Sequence, residues 1–227
     1  MFKQMFMFEW RYFTKQPSFY ITASIFFILS FMGPTAGMSA AGNVLKNGPF
    51  LIAFVMIFLG LFAMFLVVNF VGNTALRDHS TSMSEILYSK PINQMTYQLG
   101  KFLGSFTVVV LVFAFVPLGL IIGSFMPWVE HARIGSFDLN FYLKPFLYFS
   151  LPNLFIYSCL FYALGIRFKS LTSIYLAAVG LIIFNEFSEN IFAAAEMRSI
   201  GALLDPFAFK TFDEITRYWT VFEKNNS

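Results

Sequence analysis

The chain has 227 residues, of which 58% are hydrophobic, 20% aromatic and 12% charged. A soluble domain is nearer 45–50% apolar and about 25% charged, so the surplus apolar surface has to face lipid and the class is polytopic membrane protein. The net charge of +3 gives no ground for a nucleic-acid partner, and a lone cysteine, Cys159, excludes a disulfide within the chain.

The first element expected is an interfacial amphipathic helix over residues 1–16. On a helical wheel Phe2, Met5, Phe6, Trp10, Tyr12 and Phe13 gather on one side, and Lys3, Gln4, Arg11, Thr14 and Lys15 on the other. Glu9 breaks the pattern by projecting from the apolar face. A carboxylate there is costly unless paired, and Arg77 is the first candidate partner. The leading segment is long, aromatic-rich and acid-bearing, so it does not read as a cleaved signal peptide.

Five apolar runs are candidate spans: residues 17–32, 50–71, 102–126, 145–166 and 171–192, each near the ~20 residues that cross a bilayer as helix. Pro117 and Pro152 fall inside the third and fourth and predict kinks. Cys159, inside the fourth, reads as a small buried hydrophobe. The expected architecture is therefore all-α, one transmembrane domain over residues 1–227, with a tail over 193–227.

Between the second and third spans lies a loop over residues 72–101 that concentrates charge in a charge-poor chain. Ser82-Met83-Ser84-Glu85 fits a capping box, with Ser82 as N-cap and Glu85 bonding back. Met83, Ile86 and Leu87 then share one helical face, and Pro91 stops the helix. A bounded amphipathic helix in so long a connection suggests a docking element for a partner; the plainer alternative is a helix resting on lipid headgroups.

Gly100-x-x-x-Gly104 and Gly119-x-x-x-Gly123 in the third span are small-residue seams that let helices approach closely, within the chain or between chains. Asn185, Glu186, Glu189 and Asn190 are placed on one face at the end of the fifth span and form a candidate outer vestibule; an interfacial position for both acids is the alternative. Trp128 and Trp219 suit an interface belt.

Orientation follows from lysine and arginine. With the N-terminus in the cytoplasm, the inside holds Lys3, Arg11, Lys15, Arg77, Lys90, Lys101, Arg167 and Lys169. The outside holds Lys46, Arg133 and Lys144, with Arg198, Lys210, Arg217 and Lys224 on the tail. Distant tail charges count for less, which favours N-inside and places the charged loop in the cytoplasm.

The order of amphipathic helix, two spans, long helix-bearing loop and further spans resembles a permease subunit of a type-2 ABC exporter. Particular stretches resemble the bacterial ABC permeases that occur fused to a zinc aminopeptidase-like domain: FEWRY at 8–12, Arg77-Asp78, EILYSKPI at 85–92, LGKFLG at 99–104, LPNLF at 151–155, LLDPF at 203–207 and TRYWT at 216–220. The resemblance implies a coupling helix over 82–89 seated in a groove of a separate cytoplasmic ATPase. The candidate coupling residues are Arg77, Asp78, Ser82, Met83, Glu85, Ile86, Leu87, Tyr88, Lys90 and Pro91. It further implies an elbow helix carrying Glu9, Trp10 and Arg11, a re-entrant segment after the fifth span, a second permease chain as homo- or heterodimer partner, and a place in the bacterial inner membrane. ATP and magnesium would sit in the partner, and no cofactor in this chain. Such permeases have a sixth span and the fusions carry a peptidase domain; neither is expected here, which fits a split subunit or a truncated chain.

No C-x-x-C, H-E-x-x-H or phosphate-loop motif occurs, and the only histidines, His79 and His131, are expected on opposite sides of the membrane, which argues against an intramembrane metalloenzyme. The remaining alternative to a permease is a non-transporting scaffold or sensor subunit of an ATPase complex.

Overall fold

The computed structural model describes residues 1–35, 43–81, 93–191, 201 and 205–226, and every element among them is helical. In chain order they are α1 (Phe2–Thr14), α2 (Pro17–Thr35), α3 (Pro49–Val67), a π-helical turn (Val68–Gly72) and α4 (Asn73–Ser80). Then follow α5 (Gln94–Phe113), α6 (Phe115–Ser124), a short 3-10 turn (His131–Arg133), α7 (Asn140–Pro145), a second π-helical turn (Phe146–Ser150) and α8 (Leu151–Phe168). The chain closes with α9 (Leu171–Ile191), α10 (Phe209–Thr216) and α11 (Val221–Asn226).

Four helical stretches are long and apolar enough to cross a membrane: Pro17–Thr35, Pro49–Ser80, Gln94–Ser124 and Asn140–Phe168. The fifth expected span is helical as α9, and its fully described apolar part is Leu171–Phe187. The second, third and fourth run beyond their apolar runs. Hydropathy falls along Asn73–Ser80 and Gln94–Lys101, yet nothing there breaks a helix, so the backbone keeps its i→i−4 bonds. The connection expected over 72–101 therefore contracts to residues 81–93. The expected helix at Ser82–Ser89, and Lys90 and Pro91 with it, lies outside the described residues. Asn93 starts the next helix as its N-cap, its Oδ1 accepting from the Thr96 amide at 3.1 Å.

Both expected proline distortions appear one turn upstream of the ring. Pro117 cannot donate to the Phe113 carbonyl and crowds it, and the helix breaks at Ala114, between α5 and α6. Pro152 faces Tyr148 in the same way, and Tyr148 sits in the π-helical turn Phe146–Ser150. Cys159 is a correction: it is exposed on α8 with Phe155, Ile156 and Leu160 rather than buried. On a helix that faces lipid, apolar character does not distinguish the inner face from the outer.

The chain comprises two compact units. The first is Met1–Thr22, Ala63–Val112 and Leu154–Leu181; the second is Ala23–Phe62, Phe113–Asn153 and Ile182–Ser227. In the first, Val67, Phe70, Val108, Phe161 and Ile174 are fully buried, and Phe13 of α1 meets Phe70 edge-on at 5.2 Å. In the second, Ala53, Ile57 and Phe212 form a cluster joined by Phe50, Phe149 and Phe209, which seats α10 on α3. The tail helix α11 opens with a capping box, the Glu223 carboxylate accepting from the Thr220 amide at 2.7 Å. Its Asn225 Oδ1 accepts from the Leu45 amide at 2.8 Å.

The second glycine seam also lies in this unit. A Cβ on Gly119 would come within 2.6 Å of the Phe27 carbonyl oxygen, and one on Gly123 within 2.6 Å of that of Phe31. Backbone cannot retreat as a side-chain tip can, so α6 packs against α2 through positions that tolerate only glycine. Gly119→Ala is expected to destabilise by about 1–3 kcal/mol through overpacking, read as a lower unfolding temperature in detergent. Gly60→Ala, where nothing lies within 4 Å of the added Cβ, is the matched control and should be neutral or slightly stabilising.

Candidate functional site

The chemistry in the first unit gathers where α1, α4 and α5 meet. Gly100 and Gly104 create the opening: a Cβ on Gly100 would lie 2.9 Å from the Met5 Cβ and 3.0 Å from the Phe2 carbonyl oxygen. One on Gly104 would lie 2.8 Å from the Glu9 Cβ and 2.9 Å from the Phe6 carbonyl oxygen. This seam is thus occupied by the chain's own N-terminal helix. The approach carries the Glu9 side chain to 1% exposure, the position that its place on the apolar face predicts.

Glu9 does not stay alone there. Arg77 of α4 donates through Nη2 to Glu9 Oε1 in a close ion pair, and the Thr74 hydroxyl lies 3.4 Å from Oε2. The Arg77 guanidinium also covers the rings of Tyr12 at 4.6 Å and Phe8 at 5.2 Å, a planar cation stacked on aromatic faces. One residue later on α4, Asp78 pairs with Lys101 of α5 at 2.8 Å, and the Lys101 side chain is 1% exposed. The Tyr97 hydroxyl donates to both Asp78 oxygens at 3.0 Å, and its ring lies 5.4 Å from Lys101 Nζ. Nearby the Tyr162 hydroxyl of α8 donates to Gln98 Oε1 at 2.5 Å. Two carboxylates and two cations thus share one network, with Glu9 and Lys101 buried and Arg77 and Asp78 partly exposed, an arrangement that makes the buried charges tolerable.

The network has a mechanical reading. Arg77 and Asp78 stand one turn from the end of α4, and Tyr97 and Lys101 stand in the first turns of α5. These are the two feet of the connection at 81–93. Asp78–Lys101 ties foot to foot, and Arg77–Glu9 ties the leading foot to α1. Burial pushes the Glu9 carboxyl above its ordinary value of 4.5, while the Arg77 charge and hydrogen bond, then Lys101, pull it back.

The other sequence candidates are placed differently. Trp10 is half-buried and Arg11 exposed. Ser82, Met83, Glu85, Ile86, Leu87, Tyr88, Lys90 and Pro91 lie outside the described residues. Of the candidate vestibule, Asn185 is buried, with its carbonyl 3.4 Å from Lys210 Nζ, and Glu186 is exposed. Glu189 and Asn190 belong to α9, and their side chains lie outside the described part. Lys101, Tyr97 and Asp78 were not expected to meet; an i, i+4 pairing of Tyr97 and Lys101 across from a lone Asp was the available signal. Among the described residues no group of three or more His, Cys, Asp or Glu could hold a metal ion. No protein-family model matches the chain, and no curated protein or solved structure matches it.

Breaking the network from the acid side should cost more than breaking a surface pair. Asp78→Asn strands the Lys101 ammonium and is expected to destabilise by about 3 kcal/mol. Lys46→Gln, which loosens a 3.7 Å pair with the exposed Glu130, should change stability by less than about 1 kcal/mol. For the Glu9–Arg77 pair the check is a charge swap: Glu9→Arg/Arg77→Glu should recover part of the loss of each single change, and purely additive losses would remove the pairing.

Stability should also respond to pH through Glu9. Its native pKa is raised, so the folded chain holds this proton more tightly than the unfolded one, and the contribution is full below the ordinary value of 4.5. It is lost as pH climbs through the raised native value. Glu9→Gln should flatten this part of the pH profile, and Arg77→Gln should carry it to higher pH, both followed by thermal unfolding in buffered detergent.

Proposed function

We propose that the chain is the membrane-spanning permease component of an ATP-driven exporter of the type-2 ABC class, working with a separate cytoplasmic ATPase and a second permease chain. The observation that carries this reading is the clamp beneath the connection at 81–93. Two helix feet are tied to each other by Asp78–Lys101 and to an amphipathic N-terminal helix by Glu9–Arg77. A displacement applied to that connection is passed to α1, α4 and α5 together, because ion pairs with one buried partner each tie the three helices to one another. A membrane component driven from outside needs such a feature, and the Met83/Ile86/Leu87 face expected from the sequence would supply a surface for the driver. In this scheme nucleotide-driven closure of paired ATPases pushes on the connections of two permeases, and the spans move as bodies to open a path. ATP and magnesium act in the partner.

The test is copurification in mild detergent from the native membrane, followed by ATPase assay of the complex. An ATPase subunit should accompany the chain, and replacing Met83, Ile86 and Leu87 by alanine should lower its association or uncouple its hydrolysis by tenfold or more, while the spans unfold at an unchanged temperature. Undiminished association and coupling in the triple variant would overturn the docking role. An ATPase that copurifies but does not respond to any solute in reconstituted vesicles would favour a scaffold or sensor subunit.

A further inference from the structure

A second feature of the first unit, a cleft that adjoins the ion network at Arg77, points to a ligand. A cleft of about 530 Å³ opens where the α1–α2 corner, the end of α4 and the α8–α9 corner meet. Its lining includes Arg77, His79 and Lys169, and among the described residues that line it there is no carboxylate. Ser80 adds a hydroxyl, and Phe13 and Leu171 add apolar wall. Arg77 has its counter-charge in Glu9, but Lys169 faces no carboxylate in the lining, and such a cation at the rim of an apolar wall suits an anion that carries an apolar part.

Two details strengthen this. Arg77 spends Nη2 on Glu9, but its Nη1 is buried and has no hydrogen-bond partner among the described residues. That nitrogen is closed to solvent, so Arg77 contributes positive charge beside the cleft rather than a donor within it. Lys169 has φ 52°, the left-handed conformation that glycine adopts freely and other residues adopt at a cost. It closes α8, its amide donating to the Gly165 carbonyl at 3.0 Å, the place where glycine is the usual residue. The chain instead keeps a lysine there, and that lysine lines the cleft.

The setting selects the anion. Ser80 and Phe168 end two of the stretches apolar enough to cross a membrane, and Pro17 begins a third. A cleft at such ends lies at headgroup level, and basic pockets between membrane helices take lipid phosphates there. We propose that this cleft binds the phosphate of an anionic phospholipid, with Lys169 as its cationic partner, the Arg77 charge beside it and the acyl chains along the apolar wall. A free phosphate would use the same donors without the wall. The inference rests on the membrane-spanning helices and is independent of the transport reading.

Lys169→Gly separates binding from folding, because it removes the cation and at the same time relaxes the left-handed backbone. The full chain in mild detergent is examined by native mass spectrometry with added phosphatidylglycerol, phosphatidylcholine or inorganic phosphate. Wild type should retain phosphatidylglycerol in preference to phosphatidylcholine. Lys169→Gly should lower that retention about fivefold, the effect of roughly one cation at an anionic surface, with an unfolding temperature unchanged or higher. Lys169→Arg should preserve it, and Lys3→Gln, an exposed cation elsewhere on α1, should have no effect. Equal retention of the two lipids, or phosphatidylglycerol retention that survives Lys169→Gly, would overturn the proposal. Binding of inorganic phosphate that is lost in Lys169→Gly, without lipid selectivity, would overturn the lipid source and reassign the cleft to a free phosphate.

Discussion

Everything in the first unit depends on how a carboxylate on the wrong side of an amphipathic helix is made tolerable. Glu9 stands where a hydrophobe belongs. Left unpaired it would hold α1 away from its neighbours; paired with Arg77 it draws α1 against α5 and α4. The glycines at 100 and 104 are the other half of the same solution, since the backbones must come close before the charges can meet. Neither element does this alone. Without the glycines the carboxylate cannot reach its partner, and without the partner the close approach buries an uncompensated charge.

Asp78 and Lys101 repeat the arrangement one residue and one helix away. Their pairing makes the two feet of the connection a single body, and the aromatic rings of Phe8, Tyr12 and Tyr97 cover both cations. Buried polar networks fix a unique geometry more than they add stability. That property would suit the coupling role proposed above, in which one spatial relation is kept under load. The same reasoning explains why tyrosine recurs here: its ring packs like a hydrophobe while its hydroxyl answers a carboxylate or an amide.

Much of this was legible in the sequence, and the misses have physical causes. The amphipathic start, the cost of Glu9 and the candidacy of Arg77 all follow from helical spacing plus the energetics of burying charge. The prolines announce their distortions because the clash is local. The extent of α4 and α5 was not legible, because hydropathy reports where lipid is tolerated and says nothing about where the backbone stops being helical; Asn73–Ser80 and Gln94–Lys101 are polar and helical at once. The Asp78–Lys101 pair escaped for another reason. It joins residues on two helices whose relative rotation no local pattern encodes. Cys159 was misplaced because lipid removes the contrast between inside and outside on which burial arguments rest.

The glycine seams, read alone, leave open whether a small-residue stripe serves the chain or a second copy. Both stripes here are filled from within, by α1 and by α2. Close backbone approach to another chain therefore has to use other faces.

The ion network has one more consequence. Its members are two acids and two bases, so as a group it is electrically silent. Moving a single unpaired charge through the full membrane voltage takes about 2.3 kcal/mol per 100 mV. A paired set displaced as one body does almost none of that work, so a clamp built from charges can shift with its helices at any membrane potential.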